Sequence, residues 1–160
     1  MKWLILCGLM VFGLGLLTGC KAKYKDISDD PEYRHLLNNK YETLSKLNVY
    51  GVNAYGNPDN DSIDLYVVVN FGYDGHEVLS RIFLDKDTEF VILRVKSCTN
   101  CLFQKLIKYE IAILSKSPIR DITQPIYLSD NQNNMAIEGS DGRVDLDPSM
   151  FSKLKGDASL

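Results

Sequence analysis

Hydrophobic positions fall along this chain in three rhythms, and each predicts a different element. From Trp3 to Leu17 the apolar run is nearly continuous, broken by Gly8, Gly13 and Gly15, with Lys2 as the only charge ahead of it. A short apolar core behind a positive residue is the layout of a secretory signal peptide. Read instead as an uncleaved membrane helix, the run falls short of the roughly 20 apolar residues a span needs and carries three helix-weakening glycines. A helical signal follows at Ser28-Asp29-Asp30-Pro31-Glu32, where capping acids precede a proline at the first helical position; it predicts a brief helix from Pro31 to Leu37, stopped by Asn38 and Asn39.

From Tyr41 the period changes to two. Leu47, Val49, Tyr50 and Val52 form a β-rich run ending in the turn cluster Tyr55-Gly56-Asn57-Pro58-Asp59-Asn60-Asp61. Ile63, Leu65, Val67, Val69 and Phe71 then alternate with Asp64, Tyr66, Val68 and Asn70, the pattern of a strand with one buried face. Val78 to Leu84 is a weaker extended run between turns, and Glu89 to Lys96 a strand with Val91, Leu93 and Val95 on one face. Ile126-Tyr127-Leu128, directly after Pro125, reads as an edge strand, since proline is tolerated at edges. The remainder is polar, with Asp147-Pro148 capping a last short helix from Ser149 to Lys155, stopped at Gly156.

The stretch after Cys98-Thr99-Asn100-Cys101 fits either period. As a strand it aligns Phe103, Ile107, Tyr109, Ile111 and Ile113; as a helix it aligns Phe103, Leu106, Ile107, Ile111 and Leu114. The strand reading makes Cys98 and Cys101 the clipped end of a β-hairpin. The helix reading makes a strand, Cys-x-x-Cys and helix, which looks like the thioredoxin redox motif. β-branched and aromatic density over Ile107 to Ile113, consecutive strands upstream where a β-α-β unit would be needed, and Thr99-Asn100 between the cysteines all favour the hairpin.

Leu17-Thr18-Gly19-Cys20 resembles the lipobox of bacterial lipoproteins: a branched apolar residue, a small one, Gly, then Cys. The resemblance implies a diacylglyceryl group on the Cys20 thiol, cleavage before it and acylation of the new amino group, so that two or three chains hold the protein to a bilayer without a spanning helix. An ordinary cysteine after a plain signal peptide is the competing reading. The expected organisation is then signal peptide 1–19, lipidated tether 20–28, β domain 29–128 and a polar C-terminal segment 129–160 carrying the short helix. Lys21 replaces the Asp that commonly retains such proteins in the inner membrane, so the resemblance points to the outer membrane, facing the periplasm.

Composition refines this picture in two places. Losing Lys2 takes the formal net charge from −3 to about −4, which disfavours a nucleic-acid surface. Of four cysteines, Cys7 leaves with the signal and Cys20 takes the lipid, so Cys98 and Cys101 remain as one pair in a disulfide-permissive compartment. His35 and His76 stand in unrelated segments and give neither a metal site nor a catalytic His at a strand end. Asp59, Asp61 and Asp64 lack the spacing of a calcium loop, as do Asp141, Asp145 and Asp147. No cofactor is expected beyond the covalent lipid.

A second resemblance rests on Pro31-x-Tyr33, Tyr41-x-Thr43-Leu44, Leu47-x-Val49-Tyr50-Gly51-Val52, Asp87-Thr88-x-Phe90-x-Ile92-Leu93-x-Val95 and Ser97-Cys98-Thr99-Asn100-Cys101-Leu102. These stretches look like small enterobacterial lipoproteins whose mature part is similar to a bacterial SH3-like barrel. The implied fold is mainly β, a small SH3-like β-barrel or meander with short flanking helices; no catalytic residue carries over. The expected function is a membrane-anchored, non-catalytic binding, accessory or inhibitor/immunity module for an envelope protein or cell-wall glycopeptide. The only tryptophan, Trp3, leaves with the signal, so Tyr50, Tyr55, Tyr66 and Tyr73, near turns, are the expected contact surface. The alternative is a thiol-disulfide oxidoreductase acting through Cys98 and Cys101.

Overall fold

The computed structural model describes residues 22–53, 62–101, 105–115, 117, 119–129 and 135–157. They are mainly β: β1 (Tyr24–Asp26), β2 (Asn39–Thr43), β3 (Leu47–Val52), β4 (Leu65–Val69), β5 (Val78–Leu84), β6 (Glu89–Cys98), β7 (Ile107–Ile113), β8 (Ile126–Ser129), β9 (Ala136–Glu138), β10 (Val144–Leu146) and β11 (Phe151–Asp157). One sheet runs in the order β11-β2-β6-β7-β8-β4-β3-β5, and β1 joins it by pairing with the Cys98 end of β6. β9 and β10 form a separate hairpin. Among the described residues the ladders leave β11 and β5 unjoined, so of the expected barrel or meander a closed barrel is not formed, while the mainly β class holds.

The period-two segments set the architecture. β3 and β4 pair antiparallel across the predicted bend, with Tyr50 opposite Val67. The ambiguous stretch is a strand from Ile107, and Phe103 lies outside the described residues: β7 buries Ile107, Tyr109, Ile111 and Ile113 and turns Lys108 and Glu110 to the other face. Between β2 and β3, and between β5 and β6, the chain makes short passages stapled by Thr43. Its hydroxyl donates to Asp85 O at 2.6 Å and accepts from Thr88 N at 3.0 Å, which satisfies it although it is fully buried.

Several expectations are corrected. In β4 the core face is Tyr66 and Val68; Leu65, Val67 and Val69 lie on the opposite face, where they meet Tyr50, Val52 and Val78 in a second, smaller cluster. Both faces are covered, so alternation alone pointed to the wrong one. In β6 Val91 and Val95 are buried as expected, together with Phe90 and Ile92, but a register shift between Ile92 and Arg94 resets the alternation and leaves Leu93 exposed. β8 is an interior strand, parallel to β4 and antiparallel to β7; Pro125 precedes it and contributes only its carbonyl, which accepts from Tyr66 N at 2.9 Å.

The two expected helices shrink or vanish. Pro31–Leu37 contains one 3-10 turn, Arg34–Leu36, and Asn38 takes the left-handed conformation (φ 60°) that stops it. Asp147 does cap a turn, its Oδ1 accepting from Ser149 N at 2.8 Å, but the chain then continues as β11 on β2. Phe151 stacks edge-on against Phe90 at 5.6 Å, and that burial overrides the local capping signal. Residues 22–28, expected as tether, belong to the sheet from Lys23 onward: Lys23 N donates to Asn100 Oδ1 at 2.6 Å, and Ile27 N to Val95 O at 2.9 Å.

Candidate functional site

The exposed large apolar residues are unevenly distributed. Phe71, Tyr73, Leu79 and Phe83 all come from the end of β4, the following loop and β5, while Leu44, Leu93 and Ile137 are scattered elsewhere. β5 is the last strand in the ladder order, bonded on one side to β3. Its side chains point alternately: Ser80, Ile82 and Leu84 oppose Gly51, Val49 and Leu47, and Arg81 and Phe83 face outward opposite Tyr50 and Asn48. Gly51 is required there, because a Cβ would collide with Ser80 Oγ and Ile63 Cδ1.

The loop is held onto this face. Tyr73 N donates to Tyr50 Oη at 2.9 Å, the two rings meet edge-on at 6.1 Å, and the Tyr73 hydroxyl donates to the Glu77 carboxylate. Asn48 Nδ2 donates to Phe71 O at 3.1 Å, and Arg81 lies over the Tyr50 ring while pairing with Asp74 at 2.5 Å. Lys46 sits 3.8 Å over the Phe83 ring. The result is an apolar strip, with Lys46 at its rim, beside an edge of β5 that no described residue pairs.

Of the expected contact tyrosines, Tyr73 is exposed within this strip. Tyr50 and Tyr66 are corrected: both are buried, Tyr50 beneath the loop and Tyr66 in the main core. Tyr55 lies outside the described residues, as does Cys20. Phe71, Leu79 and Phe83 were missed because each looked like one more period-two position; the signal available was the weak alternation of Val78–Leu84, which marks a strand not buried on both faces.

Cys98 and Cys101 form a disulfide with Cα atoms 5.7 Å apart. Thr99, between them, donates its N–H to Lys23 O at 2.8 Å, so the bridge closes the corner where β1 meets β6. β7 begins at Ile107.

Comparison of the chain with family models, curated proteins and solved structures returns no match. The chemistry is therefore argued from side chains alone. His35 Nε2 lies 3.0 Å from Asp145 Oδ1, a carboxylate-held histidine that spacing in the sequence did not reveal. Its Nδ1 is buried, and among the described residues no hydroxyl or thiol bonds it as an activated nucleophile would. The pair joins the 3-10 turn to β10. His76 is exposed beside Glu77. A groove of about 560 Å³ follows Lys25–Asp30, but Asp26 and Asp30 accept from Ser28 N and Glu32 N and so serve as turn acceptors. Among the described residues no three His, Cys, Asp or Glu side chains gather as a metal site.

A cationic and aromatic group occupies the outer face of β1, β6, β7 and β8. Lys96 pairs with Glu110 at 2.7 Å and donates to Tyr127 Oη at 3.0 Å; burial lowers its pKa, and these bonds more than offset that, raising it. Lys108 lies 4.3 Å from the Tyr24 ring centre and 5.6 Å from that of Tyr127, and burial pulls its pKa down.

Proposed function

We propose that the chain is a lipid-anchored envelope protein whose β domain binds an extended segment of another envelope protein, adding it as a strand along β5. What supports the binding reading is one observation, the concentration of Phe71, Tyr73, Leu79 and Phe83 beside the free edge of an end strand. Backbone pairing supplies affinity at such an edge, and alternate side chains supply selectivity. Lys46, over the Phe83 ring, favours a segment carrying an acidic residue, whereas Arg81 is already paired with Asp74. The anchor reading rests on the signal-like run and the lipobox at Cys20, and the outer-membrane address on Lys21 directly after it.

The test is affinity capture from detergent-solubilised envelopes, comparing the natural chain with Leu79→Ser and Phe83→Ser and with Ile137→Ser as an exposed apolar control. A partner recovered with the natural chain and the control, but about tenfold less with each strip variant, is the expected result. Equal recovery with all variants removes the strip from the interface. Retention on purified peptidoglycan, equally independent of the strip, favours the cell-wall glycopeptide.

A further inference from the structure

The chain is net negative, yet three lysines, Lys23, Lys105 and Lys108, stand where β1 meets β6 and β7, beside the acids Asp26 and Glu32. Lys23 and Lys105 are exposed. Of these three, Lys105 has a carboxylate, Glu32, with its ammonium 3.1 Å from both oxygens. Lys108 is half-buried between two tyrosine rings, and among the described residues no carboxylate stands at ion-pair distance from it. A partly desolvated ammonium without a counter-charge is unfavourable unless something outside the molecule supplies one.

Distance to the anchor identifies the source. Three residues separate Cys20 from Lys23, and a fully extended chain covers about 3.5 Å per residue, so the first hydrogen-bonded residue of the sheet lies within about 10 Å of the Cys20 Cα. Lys23 is fixed from both sides, by Asn100 Oδ1 on its N–H and by the Thr99 N–H on its carbonyl. The disulfide corner therefore cannot swing away from the bilayer as it would on a long tether. Tyr24, with an apolar ring and a polar tip, has the character of a side chain that settles at headgroup depth.

We infer that the corner where β1 meets β6 and β7 lies on the bilayer that holds the Cys20 lipid, with Lys23 and Lys108 against anionic phospholipid headgroups. The inference rests on the lipid-anchor reading. It goes further in fixing an orientation, with one end of the domain committed to the membrane.

The test uses the full lipidated chain in phosphatidylcholine vesicles with and without phosphatidylglycerol. Thr99→Trp serves as reporter, and the lipid on Cys20 is checked by mass in the same sample. The new indole at position 99 is expected to be quenched by headgroup-labelled nitroxide lipid and shielded from acrylamide when phosphatidylglycerol is present. Lys23→Gln and Lys108→Met should each lower the ratio of docked to undocked protein about fivefold, the effect of removing one surface-facing cation. A lipidated protein whose indole stays open to acrylamide on anionic vesicles, or whose shielding ignores both lysine variants, overturns the docking alone. A protein without lipid on Cys20 overturns the anchor and the docking together. Should Thr99→Trp fail to fold, amide exchange of residues 97–101 in the natural lipidated chain decides: slower exchange on anionic than on neutral vesicles supports the inference, and equal exchange overturns it.

Discussion

Lys108 is held where its charge is costly to the fold. Burial depresses its pKa below the ordinary 10.5, and the neighbouring Lys96 adds to the effect while Tyr127 opposes it. The folded chain therefore releases this proton before the unfolded chain does. The deficit is fully present at neutral pH and disappears as pH rises through the depressed value towards 10.5. Lys108→Met keeps the stem between the Tyr24 and Tyr127 rings and removes the charge. We expect its melting temperature at neutral pH to be unchanged or higher by about 2–4 °C, with a flatter stability profile in the alkaline range, measured by circular dichroism melts across that range. A clear drop would mean that the ammonium over the rings contributes more than its desolvation costs. Stability and headgroup docking should thus respond oppositely to one substitution, as expected where a residue is retained for function at the expense of stability.

At the scale of elements, Cys98 and Cys101 close a loop of about four residues, for which the chain-entropy model gives roughly 2 kcal/mol before strain is subtracted. Replacing both by Ser should lower stability in urea by no more than that. The backbone bond from Thr99 N to Lys23 O and the β1–β6 ladder do not involve the sulfurs, so β1 should stay paired. Insulin reduction with dithiothreitol should show no turnover by the natural protein; turnover lost on Cys98→Ser would place a reactive thiol at this corner. The strand nature of β7 was legible because β-branched and aromatic residues crowd Ile107 to Ile113. The antiparallel return of β4 onto β3 was legible, although the turn cluster at 55–61 lies outside the described residues, and so was the left-handed stop at Asn38. What escaped depends on partners distant in sequence. Tyr66 and Val68 become core only because β8 lies beside β4, and the Ile92–Arg94 shift is invisible until β7 fixes the register. The apolar strip escaped for a related reason: an exposed Phe83 and a buried Phe90 look alike until one strand is known to end the sheet.

At the scale of the whole molecule, the sequence suggests a β domain that ends near residue 128 with a polar extension, whereas the packing joins the two. Met135, Val144, Leu146, Met150 and Phe151 all belong to the main core cluster. The hairpin β9–β10 is tied to the N-terminal turn by the His35–Asp145 contact and by Val144 N donating to Glu32 O at 3.3 Å, and β11 covers the outer edge of β2. Loops and polar residues between these apolar positions dilute the hydrophobic signal, so each short strand passes unnoticed although together they close one end of the core. A chain stopped after Leu146 loses Phe151 from its edge-on contact with Phe90 and strips β2 of its outer partner. Removal of one buried Phe side chain costs about 3–5 kcal/mol, a large share of the roughly 5–15 kcal/mol that holds a typical domain together. Deletion of residues 147–160 should therefore abolish cooperative unfolding and collapse amide dispersion in a heteronuclear NMR spectrum. Deletion of 158–160 alone should leave both intact. A well-dispersed spectrum from the longer deletion would mean that β2 and β6 need no cover on that side and that the domain does end before β11.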